Sequence, residues 1–263
     1  MVASQRARSP AEGKGWSKLG CRRNVALCSI EGVATLSIII PVLNEAAIIV
    51  DALEALAPLR RRGAEVIVVD GGSRDRTMDL ACAGADQVIA APRGRGAQMN
   101  AGAALGRGEA LLFLHADTRL PFEADRLVLE GLRSSGRIWG RFDIAIAGQD
   151  PLLAMVANAV NLRSRWTGIA TGDQAMFVAR DVFAGVGRFP DIPLMEDIAL
   201  SRTLRRVSWP LCLRDKVTTS PRRWKRDGVL RTIVLMWGLR LAYFLGVEPA
   251  TLARHYGYVP RKP

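Results

Sequence analysis

LSIIIPVLNE, residues 36–45, decides the fold. Its nearly uninterrupted apolar run, 36–42, lacks the alternation of a half-exposed strand and so predicts a strand buried on both faces, as in parallel sheets. Asn44 then offers a cap for a helix from about Glu45 to Arg62, which Gly63 ends. The pattern recurs downstream. EVIVVD (65–70) is a second buried strand, followed by Gly-Gly-Ser and a short helix over 75–83 that stops at Gly84. QVIAA (87–91), the glycine-rich RGRGAQMNAGAALGRG (93–108) and ALLFLHAD (110–117) continue it. Strands alternating with helices predict an α/β chain with a doubly wound, mostly parallel sheet and helices on both faces. Ligands of such sheets sit beyond the carboxyl ends of the strands. The polar groups there are Asn44, Glu45, Asp70, Ser73, Arg93, Arg95, His115 and Asp117.

After Asp117 the alternation weakens. Residues 119–134 predict a helix, RIWGRFDIAIA (137–147) a strand, 151–165 a helix, GDQAMFVAR (172–180) a strand, and LMEDIALSRTLRR (194–206) a helix entered through Pro193. No internal repeat is present.

Composition narrows the class. Of 263 residues, 49% are hydrophobic and 24% charged, which excludes a disordered or collagen-like chain. Four cysteines without a CxxC pair and two histidines exclude a zinc knuckle and a multi-histidine metal site, and point to a reduced, cytosolic compartment. The net charge of +12 resides in the ends: residues 1–35 carry +4, residues 222–263 carry +7, and the body between them is nearly neutral. Without aromatic interleaving or finger spacing, basic ends predict solvated tails or contact with an anionic membrane surface, and no nucleic acid is expected as partner. The first 34 residues mix Ser, Gly, Pro and Arg without periodicity and are expected to be a disordered basic leader; no secretory signal core is there.

VVDGGSRDRT (68–77) sets a carboxylate at a strand end, then glycines including Gly72, then Ser73 as a helix cap. A plain strand-to-helix turn needs the glycines and the cap but not the aspartate. LLFLHADT (111–118) places His115 and Asp117 two residues apart on one side of the strand, one imidazole beside one hard carboxylate. Such a pair can bind a divalent cation, Mn2+ or Mg2+, with a nucleotide diphosphate completing the shell. GRGAQM (94–99) falls short of a dinucleotide fingerprint because Met99 stands where the third glycine belongs, which disfavours a Rossmann dehydrogenase. Glu196 and Asp197 open a predicted helix, where acids also suit the helix dipole.

Together IIIPVLNE (38–45), VVDGGSRDRT (68–77), GRGAQMNAGAALGRGEALLFLHADT (94–118), GDQAMFV (172–178) and PLMEDIALSRTLRR (193–206) resemble the family 2 glycosyltransferases of the GT-A fold, over about Leu36 to Trp224. Within them the chain is similar to the bacterial radical-SAM/selenodomain-associated subgroup, linked in some cases to arsenosugar synthesis. The resemblance implies an inverting transferase of single sugars, using a nucleotide-sugar donor of UDP type and a small or lipophilic acceptor. It implies nucleoside contacts from Pro41, Asn44, Glu45 and Asp70, metal and diphosphate on Asp117 with His115, and Asp197 as base with Glu196 behind it. Gly72, Ser73, Arg93, Arg95 and Asn100 join the donor side, and Gly172, Asp173, Gln174, Arg223 and Trp224 the acceptor side. Three positions depart from the pattern. Gly71 replaces the second of two paired aspartates, His115 the first acid of the metal motif, and Ser220 the glutamine of the processive members' Gln-x-x-Arg-Trp.

The implied organisation is a transferase domain over 35–221, divided at 118 into nucleotide and acceptor halves, then a basic, apolar helical segment over 222–263. Its stretch 229–247 is long enough to span a bilayer, but Arg240 well inside it costs about 3 kcal/mol on insertion and makes spanning marginal. A segment lying on the cytoplasmic membrane face or packed on the domain is expected. Two rival classes remain. A sugar nucleotidyltransferase should carry a glycine-rich, Arg-containing loop after the first strand, where this chain has Pro41 to Glu45. A non-catalytic membrane- or nucleic-acid-binding module would depend wholly on the basic ends.

Overall fold

A computed structural model describes residues 35–258, so the leader expected over 1–34 and the last five residues lie outside the described part. The chain runs β1 (Leu36–Val42), α1 (Ile49–Arg61), β2 (Glu65–Asp70), α2 (Thr77–Ala81), β3 (Gln87–Ala90), α3 (Arg95–Ala103) and β4 (Ala110–Phe113). It continues through β5 (Thr118–Arg119), α4 (Ala124–Ser135), β6 (Trp139–Ile146), α5 (Pro151–Thr167), β7 (Phe177–Ala179), α6 (Arg180–Gly185), α7 (Glu196–Val207) and β8 (Leu211–Thr219). Three helices close it: α8 (Arg222–Asp227), α9 (Val229–Phe244) and α10 (Pro249–His255). The strands form one sheet in the order β3-β2-β1-β4-β7-β6-β8-β5. Strands β3, β2, β1 and β4 are mutually parallel, as are β6 and β8, whereas β7 runs antiparallel to β4 and β6, and β5 to β8.

The alternating faces of the buried strands explain the two helical layers. Ile38 and Ile40 point to Leu53 and Leu56 of α1, while Ile39, Ile67 and Val69 point to Met99 and Ala103 of α3 and to Leu204 of α7. Pro41 is tolerated in β1 because Ile39 bonds toward β4, and two residues on, where proline lacks its N–H, β4 has already ended at Phe113. A third cluster, with Leu239, Leu252 and Ala253 against Met195 and Ile198, fastens the C-terminal helices to α7. Beneath β6 lies a buried ionic network. Arg141 is fully buried, pairs with Asp143 and donates to Asn161 O at 3.1 Å, and Arg165 holds the other Asp143 oxygen at 2.6 Å.

Several sequence expectations need correction. Asn44 is not a helix cap: it sits at φ +54°, its Oδ1 accepts from Arg74 N at 2.8 Å, and α1 starts only at Ile49. Gly63 does end α1: Ala64 N donates to Leu59 O and Gly63 N to Arg60 O, the paired bonds of a left-handed helix terminus at φ +100°. The strand expected through Asp117 stops at Phe113, so His115 and Asp117 belong to the turn that leads into β5. The helix expected from 119 starts at Ala124, and of 172–180 only Phe177–Ala179 is strand, because Gly172–Gln174 forms a single 3₁₀ turn. Helix α7 opens at Glu196 behind Met195, itself left-handed at φ +69°. Strand β8 carries charges at Arg214, Asp215 and Lys216 around a bulge between Phe142 and Asp143 of its partner, which broke the alternation that would have announced it. Among the described residues no helix is long and apolar enough to cross a membrane.

Candidate functional site

Two cavities open beyond the carboxyl ends of β1 and β4, of about 310 and 250 Å3. The first is lined by Pro41, Glu45, Arg93, Arg95, Gln98 and Tyr258 among others. The second is lined by Gly172, Asp173, Asp197 and Ser220, by Arg223 and Trp224 of α8, and by apolar residues of α5 and α9. Arg95, His115, Asp117, Leu194, Glu196 and Tyr256 line both, so the cavities meet there.

The remaining expected residues shape the site from behind. Asp70 is buried and its carboxylate accepts from Gly72 N at 2.8 Å, Ser73 N at 2.9 Å and Ser73 Oγ. Ser73 Oγ also accepts from Asn44 N at 2.8 Å, so Asp70, Gly72, Ser73 and Asn44 form one hydrogen-bonded turn that sets the rim of the first cavity without lining it. Asn100 is likewise structural, exchanging hydrogen bonds with the backbone of Phe189. Gln174 is fully buried and donates to Ser164 Oγ at 3.0 Å.

The structure adds residues that pattern alone did not single out. Gln98, from α3, donates through Nε2 to Val42 O at 3.0 Å and Val69 O at 2.8 Å, tying α3 to the paired carboxyl ends of β1 and β2. Its amide fills the space over Gly71, where a Cβ would lie 2.9 Å from Gln98 Oε1. Arg222 bridges the Glu45 and Asp117 carboxylates. Arg223 stacks on Tyr256, 3.8 Å from the ring centroid, and Arg93 on Tyr258 at 5.5 Å. These tyrosines fall in a C-terminal stretch whose composition signalled only charge and apolarity.

The electrostatics divide the junction into distinct groups. Desolvation, aided by the nearby Arg95 guanidinium, lowers the His115 pKa below its ordinary value, which favours the neutral imidazole. Gly172 lets the 3₁₀ turn press on this ring. Asp197 Oδ2 accepts from Gly172 N and Oδ1 from Ile198 N, each at 2.7 Å, which fixes the carboxylate toward the second cavity. Glu196, one residue earlier, is buried beside it. Burial first, and then the Asp197 charge, raise its pKa to about 7. Burial also raises the Glu45 pKa, although Arg222 opposes the shift. In the second cavity Asp173 Oδ1 is buried without a hydrogen-bond partner among the described residues. Among those residues no cluster of three or more His, Cys, Asp or Glu could hold a metal ion, which leaves His115 and Asp117 as a two-donor pair.

Residues 37–160 match the family model described as Glycosyl transferase family 2. That segment resembles the family 2 glycosyltransferases. The match covers β1 to α5 and so includes the turn bearing His115 and Asp117. The chain is 32% identical over 173 residues to a PGL/p-HBAD biosynthesis glycosyltransferase of Mycobacterium tuberculosis, covering 58% of this chain and 62% of that protein. It thus spans about three fifths of the length of the curated relatives it matches. The chain also superposes on S. aureus TarS 1–349 in complex with UDP-GlcNAc, with a TM-score of 0.58, 18% identity and coverage of 71% of this chain and 58% of that one. The mannosyltransferase PcManGT from Pyrobaculum calidifontis, in complex with GDP-Man and Mn2+, matches with a TM-score of 0.55 and 20% identity, over 87% of this chain and 65% of that one. At these identities the solved structures establish a shared GT-A-like fold.

Proposed function

We propose that this protein is an inverting glycosyltransferase that moves one sugar from a nucleotide-sugar donor, of UDP type, to a small or lipid-borne acceptor. The observation that carries the reading is the meeting of two cavities at His115, Asp117 and Glu196. The first, behind Pro41 and Glu45, takes the nucleotide diphosphate, and the second takes the acceptor. TarS with UDP-GlcNAc and PcManGT with GDP-Man and Mn2+ support the donor class and a divalent cation.

A neutral imidazole and a carboxylate in one cavity fit an ion that completes its shell with diphosphate oxygens, as Mg2+-type sites do. His115 and Asp117 would hold it, and once bound it would supply positive charge to the leaving group. Arg95, at the junction, adds charge of the same sign from the protein itself. Asp197 takes the proton of the acceptor hydroxyl as its oxygen attacks the anomeric carbon. The bond from that carbon to the diphosphate oxygen breaks, and its electron pair leaves with the nucleoside diphosphate. Attack from the face opposite the leaving group inverts the centre. Asp173 Oδ1 is available to accept a further acceptor hydroxyl, and Ser220 in place of the processive glutamine supports single transfer. The motifs further support the radical-SAM/selenodomain-associated subgroup, a transferase domain over 35–221 and work in the cytoplasm, at the inner membrane face.

Thermal melting with UDP-, GDP- and dTDP-sugars, with and without Mn2+, tests the reading. One nucleotide class should raise the melting temperature, and more so with Mn2+, by mass action on a folded-state site. No shift with any of them would overturn it.

A further inference from the structure

Helices α5 and α9 each turn a stripe of large apolar side chains to solvent. On α9 these are Leu230, Val234, Trp237, Leu241 and Phe244, from 55% to 73% exposed. Their alternating spacing of four and three keeps them within an arc of about 80° at about 100° per residue, in a strip roughly 21 Å long. On α5 they are Leu152, Met155, Leu162 and Trp166, the last 74% exposed. Packing does not account for either stripe, since α9 makes its core contact on its other side, through Thr232 and Leu239. Val156 and Val160 of α5 and Ile233 and Met236 of α9 line the second cavity, so the stripes flank its mouth.

The charge beside them identifies the occupant. Residues 222–258 carry seven Lys or Arg against two acids; Arg231 of α9 and Lys225 and Arg226 of the preceding helix are exposed, Arg226 bonded to Asp227, and Arg202 stacks on Phe244 at 5.8 Å. Apolar strips edged with basic residues suit an anionic lipid surface, where the strip enters the acyl boundary and the guanidinium groups meet head groups. A second copy of this chain would bring the same positive charge against itself.

We propose that α5 and α9 seat the protein side by side in the interface of an anionic bilayer, with the mouth of the second cavity turned to the lipid. The proposal draws on the assigned function only for calling that cavity the acceptor site. Sedimentation with vesicles of phosphatidylcholine, alone or mixed with phosphatidylglycerol, tests it. The double variants Val234→Glu/Leu241→Glu and Met155→Glu/Trp166→Glu change only exposed positions, and melting temperature reports whether they remain folded. The wild-type chain should bind the mixed vesicles, and either folded variant should lose roughly tenfold in partition. Absence of binding to mixed vesicles, equal binding to phosphatidylcholine alone, unchanged binding by both variants, or a stable dimer that the variants dissociate would each overturn the proposal. Vesicle binding as expected, with no stabilisation by any nucleotide sugar, would leave this surface standing and remove the proposed function instead.

Discussion

Arg222 holds Asp117: its Nη2 lies 3.4 Å from Asp117 Oδ2 and 3.3 Å from Glu45 Oε2. A guanidinium therefore occupies the carboxylate that the proposed cation needs, and an arriving ion must compete with it. Both pairs are partly exposed, and exposed pairs contribute about 0.2 to 1 kcal/mol each. Arg222→Gln should then tighten Mn2+ by roughly 1.4- to fivefold in nucleotide-free titrations. Unchanged affinity would show that Arg222 gives up Asp117 without cost.

Gly172→Ala tests the seat of His115. An added Cβ would lie 2.7 Å from His115 Nε2, so the ring or the turn must move. Mn2+-dependent donor binding should fall about tenfold, as loss of a metal-site support does, measured by titration calorimetry. Gly185→Ala, where a Cβ meets nothing within 4 Å, is the matched control and should leave it unchanged.

Asp197 and Glu196 can be separated by variant and pH. Both Asp197 oxygens accept backbone N–H groups, so Asp197→Asn sets an amide donor against one of them and should lower stability by about 1 to 3 kcal/mol. If Asp197 is the base, turnover at a temperature where the variant is folded should still fall roughly 10²-fold or more, with donor affinity nearly kept. Near-normal turnover would move the base to Glu196 or elsewhere.

Glu196 should leave its mark on stability. Its folded pKa, about 7, lies above the ordinary 4.5, so between those values the folded chain holds a proton that the unfolded chain has released. Stability from this residue is full below about pH 4.5 and declines as pH rises toward 7, by at most about 1.4 kcal/mol per unit. Glu196→Gln should flatten this part of a urea-unfolding profile. An unaltered slope would assign the decline to other groups.

Asp143→Ala would leave the fully buried Arg141 without its carboxylate. Breaking a buried pair from one side costs about 3 to 5 kcal/mol. Equilibrium urea unfolding should show that loss, and a change below 1 kcal/mol would mean that the site admits water.

The sheet was legible where burial on both faces left long apolar runs, as in Leu36–Val42 and Glu65–Asp70. It was least legible at β8, whose central charges obey the bulge and solvent instead of a period of two. Pattern also located His115, Asp117, Glu196 and Asp197, because polar groups after apolar strands or at a helix start stand out. It placed His115 and Asp117 on a strand although a turn carries them, since spacing of two is satisfied by either. Tyr256 and Tyr258 reach the site through the packing of α9 and α10 on α7, and Arg222 through α8, whose Trp224 packs on the main core, long-range contacts that no local window contains.

The bond from Gln98 to both Val42 and Val69 has a consequence for how the first cavity opens. Val42 O accepts both the last ladder bond, from Gly71 N at 2.9 Å, and the Gln98 amide, so this end of the crevice is held by the backbone and by one side chain rooted in α3 together. That double hold belongs to the fold itself and does not wait for a ligand. Gly71 belongs to the same device, since the volume a side chain would take at 71 is the volume through which the glutamine passes. Lengthening or shortening residue 98 would therefore remove one of the two holds on Val42 O and leave the backbone bond to carry this end alone.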